Sequence, residues 1–131
     1  MEKLLGPSSA RGTGMIPKKH ILHLAPARGV PGGVDTVTVR HVSGGASTIN
    51  FKSYDQGREK WQGPTLLLVW FDEEPPADIY TEGLTRTNVA MGPGLLTFTP
   101  LLGMSEVGKR FLIEKVPGTH GTQMTIEYPL H

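Results

Sequence analysis

The chain reads as an α/β fold with a mostly parallel sheet and one antiparallel hairpin, and three observations lead there. Leu66 to Phe71 is an uninterrupted apolar run, the pattern of a strand buried on both faces of a parallel sheet. Ala77 to Val89 has helical apolar spacing and is followed, after Gly92, Pro93 and Gly94, by a second apolar run from Leu95 to Thr99. That strand, helix and strand have the length a right-handed parallel crossover needs. Upstream, Val34 to Val42 and Thr48 to Tyr54 alternate about Ser43, Gly44 and Gly45, which predicts the hairpin.

The remaining elements follow from punctuation. The 17 glycines and 11 prolines crowd the first third, so residues 1–33 read as a loop-rich segment ahead of a sheet core over 34–131. Asp55 to Gly63 is polar and reads as an exposed loop or short helical turn. Pro75 and Pro76 suit a first helical turn, where a missing N–H costs little. The helix from Ala77 then turns Ile79, Tyr80, Leu84 and Val89 toward the sheet. Beyond the second strand come a loop from Pro100 to Gly103 and a helix over Ser105 to Glu114 with Val107, Phe111 and Leu112 on one face. Gln123 to Tyr128 reads as a last strand.

Composition excludes more than it identifies. At 131 residues the chain suits one domain. Thirteen Lys and Arg against 12 Asp and Glu leave a formal charge of +1, which points to no partner, so a nucleic-acid ligand would need a local basic patch. The absence of cysteine excludes disulfides and cysteine-ligated zinc or iron–sulfur sites. No apolar run approaches the roughly 18 residues that span a bilayer, and no signal-peptide core follows Met1, so a soluble cytoplasmic protein is the expectation.

The chemistry of interest lies where the Leu66 to Phe71 run meets Asp72, Glu73 and Glu74. Ligands in open α/β sheets bind at the carboxyl ends of strands. An apolar strand ending in Asp-Glu is the Walker B pattern, in which the Asp holds Mg²⁺ through water and the Glu orients the water attacking ATP. The plain alternative is a solvated acidic turn favouring the next helix through its dipole. Thr97 and Thr99 bring hydroxyls to the same sheet edge, or are ordinary β-branched filler. A phosphate cradle of the form G-x-x-x-x-G-K-[ST] has one near match, from Gly103 to Arg110. Arg110 cannot supply the hydroxyl, Glu106 puts negative charge in an anion cradle, and the usual chain order is reversed. An amphipathic helix start explains it better.

Other signals are weaker. His20 and His23 could share a helix face but have no acid beside them; His41, His120 and His131 are isolated, and no G-x-S-x-G occurs. Lys52, Tyr54, Arg58, Lys60 and Trp61 could contact a nucleic-acid backbone or stack on a base, or could be the charged tip of a hairpin.

Four segments in register carry a family resemblance: Phe51 to Gly63, Val69 to Pro76, Tyr80 to Thr87, and Leu96 to Gly103. Together they resemble the ATPase domain of the large terminase subunit of tailed bacteriophages, the motor that pumps DNA into an empty capsid. The resemblance implies a partial P-loop NTPase core of the ASCE, RecA-like kind with its phosphate-loop strand missing. It implies that Asp72 binds Mg²⁺, that Glu73 is the catalytic carboxylate, and that Thr97 and Thr99, with Pro100, form the motif coupling ATP cleavage to DNA movement. Gln62-Gly63 stands where the family often has Arg-Gly, which makes Arg58 the nearest candidate for an arginine finger and Arg86 the second. Mg²⁺ and ATP are the implied cofactor and substrate. Double-stranded DNA, the portal protein, the small terminase subunit and a homo-oligomeric ring are the implied partners, in host cytoplasm at the procapsid portal vertex. On this resemblance the chain is an internal slice without phosphate loop or nuclease domain, and is expected to be inactive alone. A non-catalytic nucleic-acid-binding module using Lys52 to Trp61, or a metal-dependent hydrolase built on Asp72, Glu73 and Glu74, are the alternatives.

Overall fold

The computed structural model describes residues 1–99, 105–112 and 114. The chain divides into two compact units, Met1–Ser53 and Tyr54–His131.

The first unit is built on an antiparallel sheet in the order β1 (Ile21–Pro26), β2 (Val34–Arg40) and β3 (Ala46–Asn50), preceded by a short helix α1 (Glu2–Leu5). The expected hairpin forms, with Val37 facing Ile49 on β3 and Leu24 on β1. Leu5, Val34 and Val37 are buried, and Leu24, Ile49 and Phe51 pack against them. β1 lies inside the stretch expected to be loop. Its proline closes an edge strand, where a missing ladder donor is tolerated, and irregularities between Ile21 and His23 and between Ala25 and Pro26 break its alternation. The glycine-rich segment ahead of it is pinned rather than free. The Arg11 guanidinium donates to the carbonyls of Gly6 and Gly32. Gly12 N–H donates to Leu5 O at 2.6 Å and Ile16 N–H to Leu4 O at 2.8 Å.

The second unit contains β4 (Val69–Asp72), α2 (Ala77–Asn88), β5 (Gly94–Thr97) and α3 (Glu106–Leu112), after two 3₁₀ turns at Tyr54–Gln56 and Arg58–Trp61. β4 and β5 pair in parallel, from Val69 facing Gly94 to Asp72 facing Thr97, so the strand–helix–strand unit is present. Instead of one mostly parallel sheet carrying a hairpin, the described residues form two sheets. β1 takes the free edge of the hairpin, and the parallel pair stands in the other unit.

The apolar run is also buried differently from expectation. Val69 and Phe71 are buried beside Ile79, Tyr80 and Val107, whereas Leu68, Trp70 and Leu95 are exposed and Leu67 is 80% exposed. A continuous apolar run cannot by itself distinguish one covered face from two. On α2 the buried stripe passes through Ile79, Gly83 and Thr87, in steps of four residues. Val89, expected to face inward, lies about 80° round from Ile79 by helical geometry and is 83% exposed.

The near-match to a phosphate loop is in part the start of α3. Ser105 Oγ accepts the Gly108 N–H at 3.0 Å, a serine cap on a helix whose Val107 is buried in the core. The loop from Pro100 to Gly103, the side chains of Phe111 and Leu112, and the strand expected over Gln123 to Tyr128 lie outside the described residues.

Gly83 lets α2 approach β4 closely: a Cβ there would sit 2.5 Å from Phe71 Cζ and 3.3 Å from Val69 Cγ2. Alanine gains about 1 kcal/mol of helix propensity, but overpacking a close-packed core costs about 1–3 kcal/mol. Gly83→Ala is therefore expected to lower the urea midpoint at unchanged slope, with a net loss of about 1 kcal/mol.

Candidate active site

β4 ends on Asp72, and the backbone then turns sharply. Glu73 adopts φ 65°, the left-handed region that costs a non-glycine residue about 1 kcal/mol or more. Two bonds hold it there. Glu73 N–H donates to Thr97 O at 2.8 Å, extending the ladder beyond the strand. The Tyr54 hydroxyl reaches the carbonyl oxygens of both Asp72 and Glu73, at 2.9 and 3.0 Å. Burial, with Asp72 and Glu73 nearby, pushes the Tyr54 phenol up to about 12, keeping it a donor through the physiological range.

On the exposed face of the strands a short relay forms. Trp70 Nε1–H donates to Thr97 Oγ1 at 2.8 Å, and the Thr97 hydroxyl donates to Asp72 Oδ1 at 3.3 Å. The structure thus brings Asp72 and Thr97 together, with Glu73 following. Thr99 lies past the end of β5 and has no hydrogen bond to these groups among the described residues.

Arg58 is placed elsewhere. Its Nε donates to Glu82 Oε2 at 3.0 Å, while Arg86 Nε lies 3.1 Å from Glu82 Oε1 as an ion pair without hydrogen-bond alignment. Glu82 is only 4% exposed, against 55% for Arg58. Arg86 Nη1 also donates to Gly63 O at 3.0 Å. The basic and aromatic cluster is therefore not a hairpin tip displaying rings to a base. Tyr54 stacks on Trp61 at 5.9 Å between centroids and Trp61 on Phe71 at 5.7 Å; Phe71 tilts against Tyr80 at 5.5 Å, and the Arg110 guanidinium lies over the Tyr80 ring. Burial raises the Tyr80 phenol, partly opposed by Arg110.

Among the described residues no group of three or more His, Asp or Glu converges to hold a metal ion, so three consecutive acids do not make a ready ligand set. Asp72 with the Thr97 hydroxyl offers one carboxylate and one neutral oxygen. That suits Mg²⁺ held mainly by water and phosphate, which needs only one or two protein carboxylates. His20 ends a 3₁₀ turn and His23 lies in β1, so they share no helix face. Sequence reasoning missed Tyr54 as the brace of the acid turn and Glu82 as the anchor of both arginines. The signal for Glu82 was an acid four residues before an arginine on a helix, adjacent to the apolar stripe.

Fold and site define a class: an α/β unit in which a carboxylate, Asp72, meets a hydroxyl, Thr97, at the carboxyl ends of paired parallel strands. The family model described as terminase large subunit, T4likevirus-type, N-terminal, matches residues 4–128, and the chain belongs to that family. The large terminase subunit of Salmonella phage P22 is 47% identical over 120 residues, covering 88% of this chain and 24% of that protein. That of Enterobacteria phage LP7 is 41% identical over 64 residues, covering 49% of this chain and 14% of its own. The chain spans about a quarter of the length of the first relative and less of the second. No solved structure matches.

Two consequences are measurable. The Tyr54 phenol keeps its proton to a higher pH when folded than when unfolded, so its contribution to stability is complete below pH 10 and is lost as pH rises toward 12. Tyr54→Phe should cost about 1 kcal/mol near neutrality, and the gap between the two proteins should close over that alkaline window in urea unfolding. Arg58→Ala leaves a buried carboxylate with one cation. It should cost about 2 kcal/mol, after discounting for the exposure of Arg58, and a double-mutant cycle with Glu82→Gln should return a coupling of about 1 kcal/mol.

Proposed function

We propose that this chain supplies the acid-bearing part of a nucleotide-hydrolysing site in a DNA-packaging terminase, on a sheet of the P-loop NTPase kind. The observation that carries the reading is the Asp72–Thr97 pair at the carboxyl ends of adjacent parallel strands, with Glu73 fixed next to it. Asp72 would hold Mg²⁺ through water, and Glu73 would orient the attacking water. The Thr97 hydroxyl, next to Asp72, would be placed to report on the γ-phosphate, with Thr99 further along the same strand end. Bound Mg²⁺ would neutralise charge developing on the phosphates. Arg58, committed to Glu82 in its own chain, positions the segment bearing Tyr54 in this reading rather than serving as the transition-state arginine.

Family membership supports a terminase role, and duplex DNA, the portal protein, the small terminase subunit and a ring of like subunits are partners this reading carries. The sequence contains no complete G-x-x-x-x-G-K-[ST], so the chain alone is expected to bind nucleotide weakly and turn over negligibly.

The test uses Mn²⁺ as a paramagnetic stand-in for Mg²⁺. With ATP present, Mn²⁺ should broaden the amide resonances of Asp72, Glu73 and Thr97 first, and Asp72→Asn should abolish that selectivity. Broadening centred elsewhere, or unaffected by Asp72→Asn, would refute the site.

A further inference from the structure

The net charge of +1 conceals a division between the two units. Met1–Ser53 holds seven of the 13 Lys and Arg against two carboxylates, Glu2 and Asp35, giving +5. Tyr54–His131 holds the other six against ten carboxylates, giving −4.

The topology gathers much of the positive charge at one end of the three-stranded sheet. The turn Lys18–His20 runs directly into β1, whose Ile21 faces Val39 of β2. Arg40, the last residue of β2, faces Ala46, and His41 N–H donates to Gly45 O at 2.9 Å to close the β2–β3 turn. Lys18, Lys19, His20, Arg40 and His41 therefore share one end of a sheet whose neighbouring strands run about 5 Å apart. All but His20 are exposed. Residues 15–21 and 38–47 contain no Asp or Glu, and Asp35 lies toward the opposite end, where its carbonyl accepts Phe51 N–H. The ion pairs among the described residues are those of Glu82 in the other unit. The His41 ring is held at the turn by Ser43, whose N–H lies 3.2 Å and whose Oγ lies 2.8 Å from Nδ1.

We infer that this end of the sheet is a contact surface for the phosphate backbone of duplex DNA. The inference rests on the DNA-handling part of the function proposed above and is independent of the ATP site. Backbone contacts need cations and hydrogen-bond donors without competing carboxylates, which is the inventory here. A single strand would also call for aromatic platforms, and residues 15–21 and 38–47 contain none. A second copy, docking through its acidic unit, would need an apolar interface core. The large apolar side chains well exposed within residues 15–21 and 38–47 are Val42, fully exposed, and Met15, 76% exposed, too few for such a core.

The test measures binding of the whole chain to a mixed-sequence duplex of about 20 base pairs across a salt series, where each phosphate contact contributes roughly 0.9 to the slope of log affinity against log salt. Lys19→Ala with Arg40→Ala should lower that slope by about two and weaken binding at low salt by about tenfold or more. Arg28→Ala with Lys52→Ala, away from this end of the sheet, should do much less. No duplex binding by the wild-type chain, or equal losses in the two double variants, would overturn the inference. Salt-sensitive self-association in ultracentrifugation, removed by Lys19→Ala with Arg40→Ala while DNA affinity is unchanged, would also overturn it in favour of a second copy. Failure of the ATP site reads separately, through the Mn²⁺ response of Asp72.

Discussion

The second unit depends on a carboxylate that cannot be left alone. Glu82 sits on α2 beside the core, and an unpaired buried carboxylate costs several kcal/mol. Its two cations come from different directions: Arg58 from the turn ahead of β4 and Arg86 from one helical turn further along α2. Arg86 also donates to Gly63 O, and its own carbonyl accepts Leu66 N–H. The helix thereby grips both ends of the segment leading into β4. With that segment fixed, Trp61 meets Phe71, Tyr54 meets Trp61, and the Tyr54 hydroxyl reaches the acid turn. Each ring contact contributes about 1 kcal/mol, less than the penalty of stranding Glu82, so the ion triad sets whether the stack can form in this arrangement.

The acid turn shows what this bracing holds in place. A left-handed Glu73 takes the chain off the β4 direction at once, so Asp72 stays in the ladder opposite Thr97 while Glu73 leaves it. Two adjacent carboxylates thereby acquire different environments from backbone geometry alone. The cost of that φ is of the same order as one net hydrogen bond, and the turn donates to Thr97 O and accepts from the Tyr54 hydroxyl. Asp72 is also tied to the exposed face through Thr97 and Trp70. Two hydrogen bonds thus link the carboxylate to an indole on the exposed face of the strand.

The hairpin and the parallel pair were legible because their signals are local: period-two alternation about Ser43-Gly44-Gly45, and two apolar runs separated by one helix length. β1 was hidden because Pro26 and the surrounding glycines carry the composition of a loop, and an edge strand needs little more than one neighbour. Asp72 was legible through its position at a strand end, where it faces Thr97 in the register of the parallel pair. The fate of Arg58, Tyr54 and Trp61 was not, because a basic and aromatic run has the same composition whether its side chains face solvent or fold back onto Phe71. Lys109 shows the same ambiguity: a Gly-Lys pair is equally part of a phosphate loop or of a helix capped by Ser105, and the capping bond decides.

Net charge hides local patches for a different reason. Screening confines the influence of exposed charge to about 10 Å at ordinary salt, so a net charge says little about any local patch. Within the second unit Arg58 and Arg86 share the single Glu82 carboxylate, which fixes both guanidiniums in place and offsets one of their two charges. The first unit has two carboxylates for seven cations, and the end of its sheet holding Lys19 and Arg40 has none. In the reading proposed above, carboxylates for a divalent cation and cations for a phosphate backbone work best apart, because interleaved they would neutralise each other. Weighting acids toward one unit and cations toward the other would keep both proposed binding chemistries available in a chain whose total charge is close to zero.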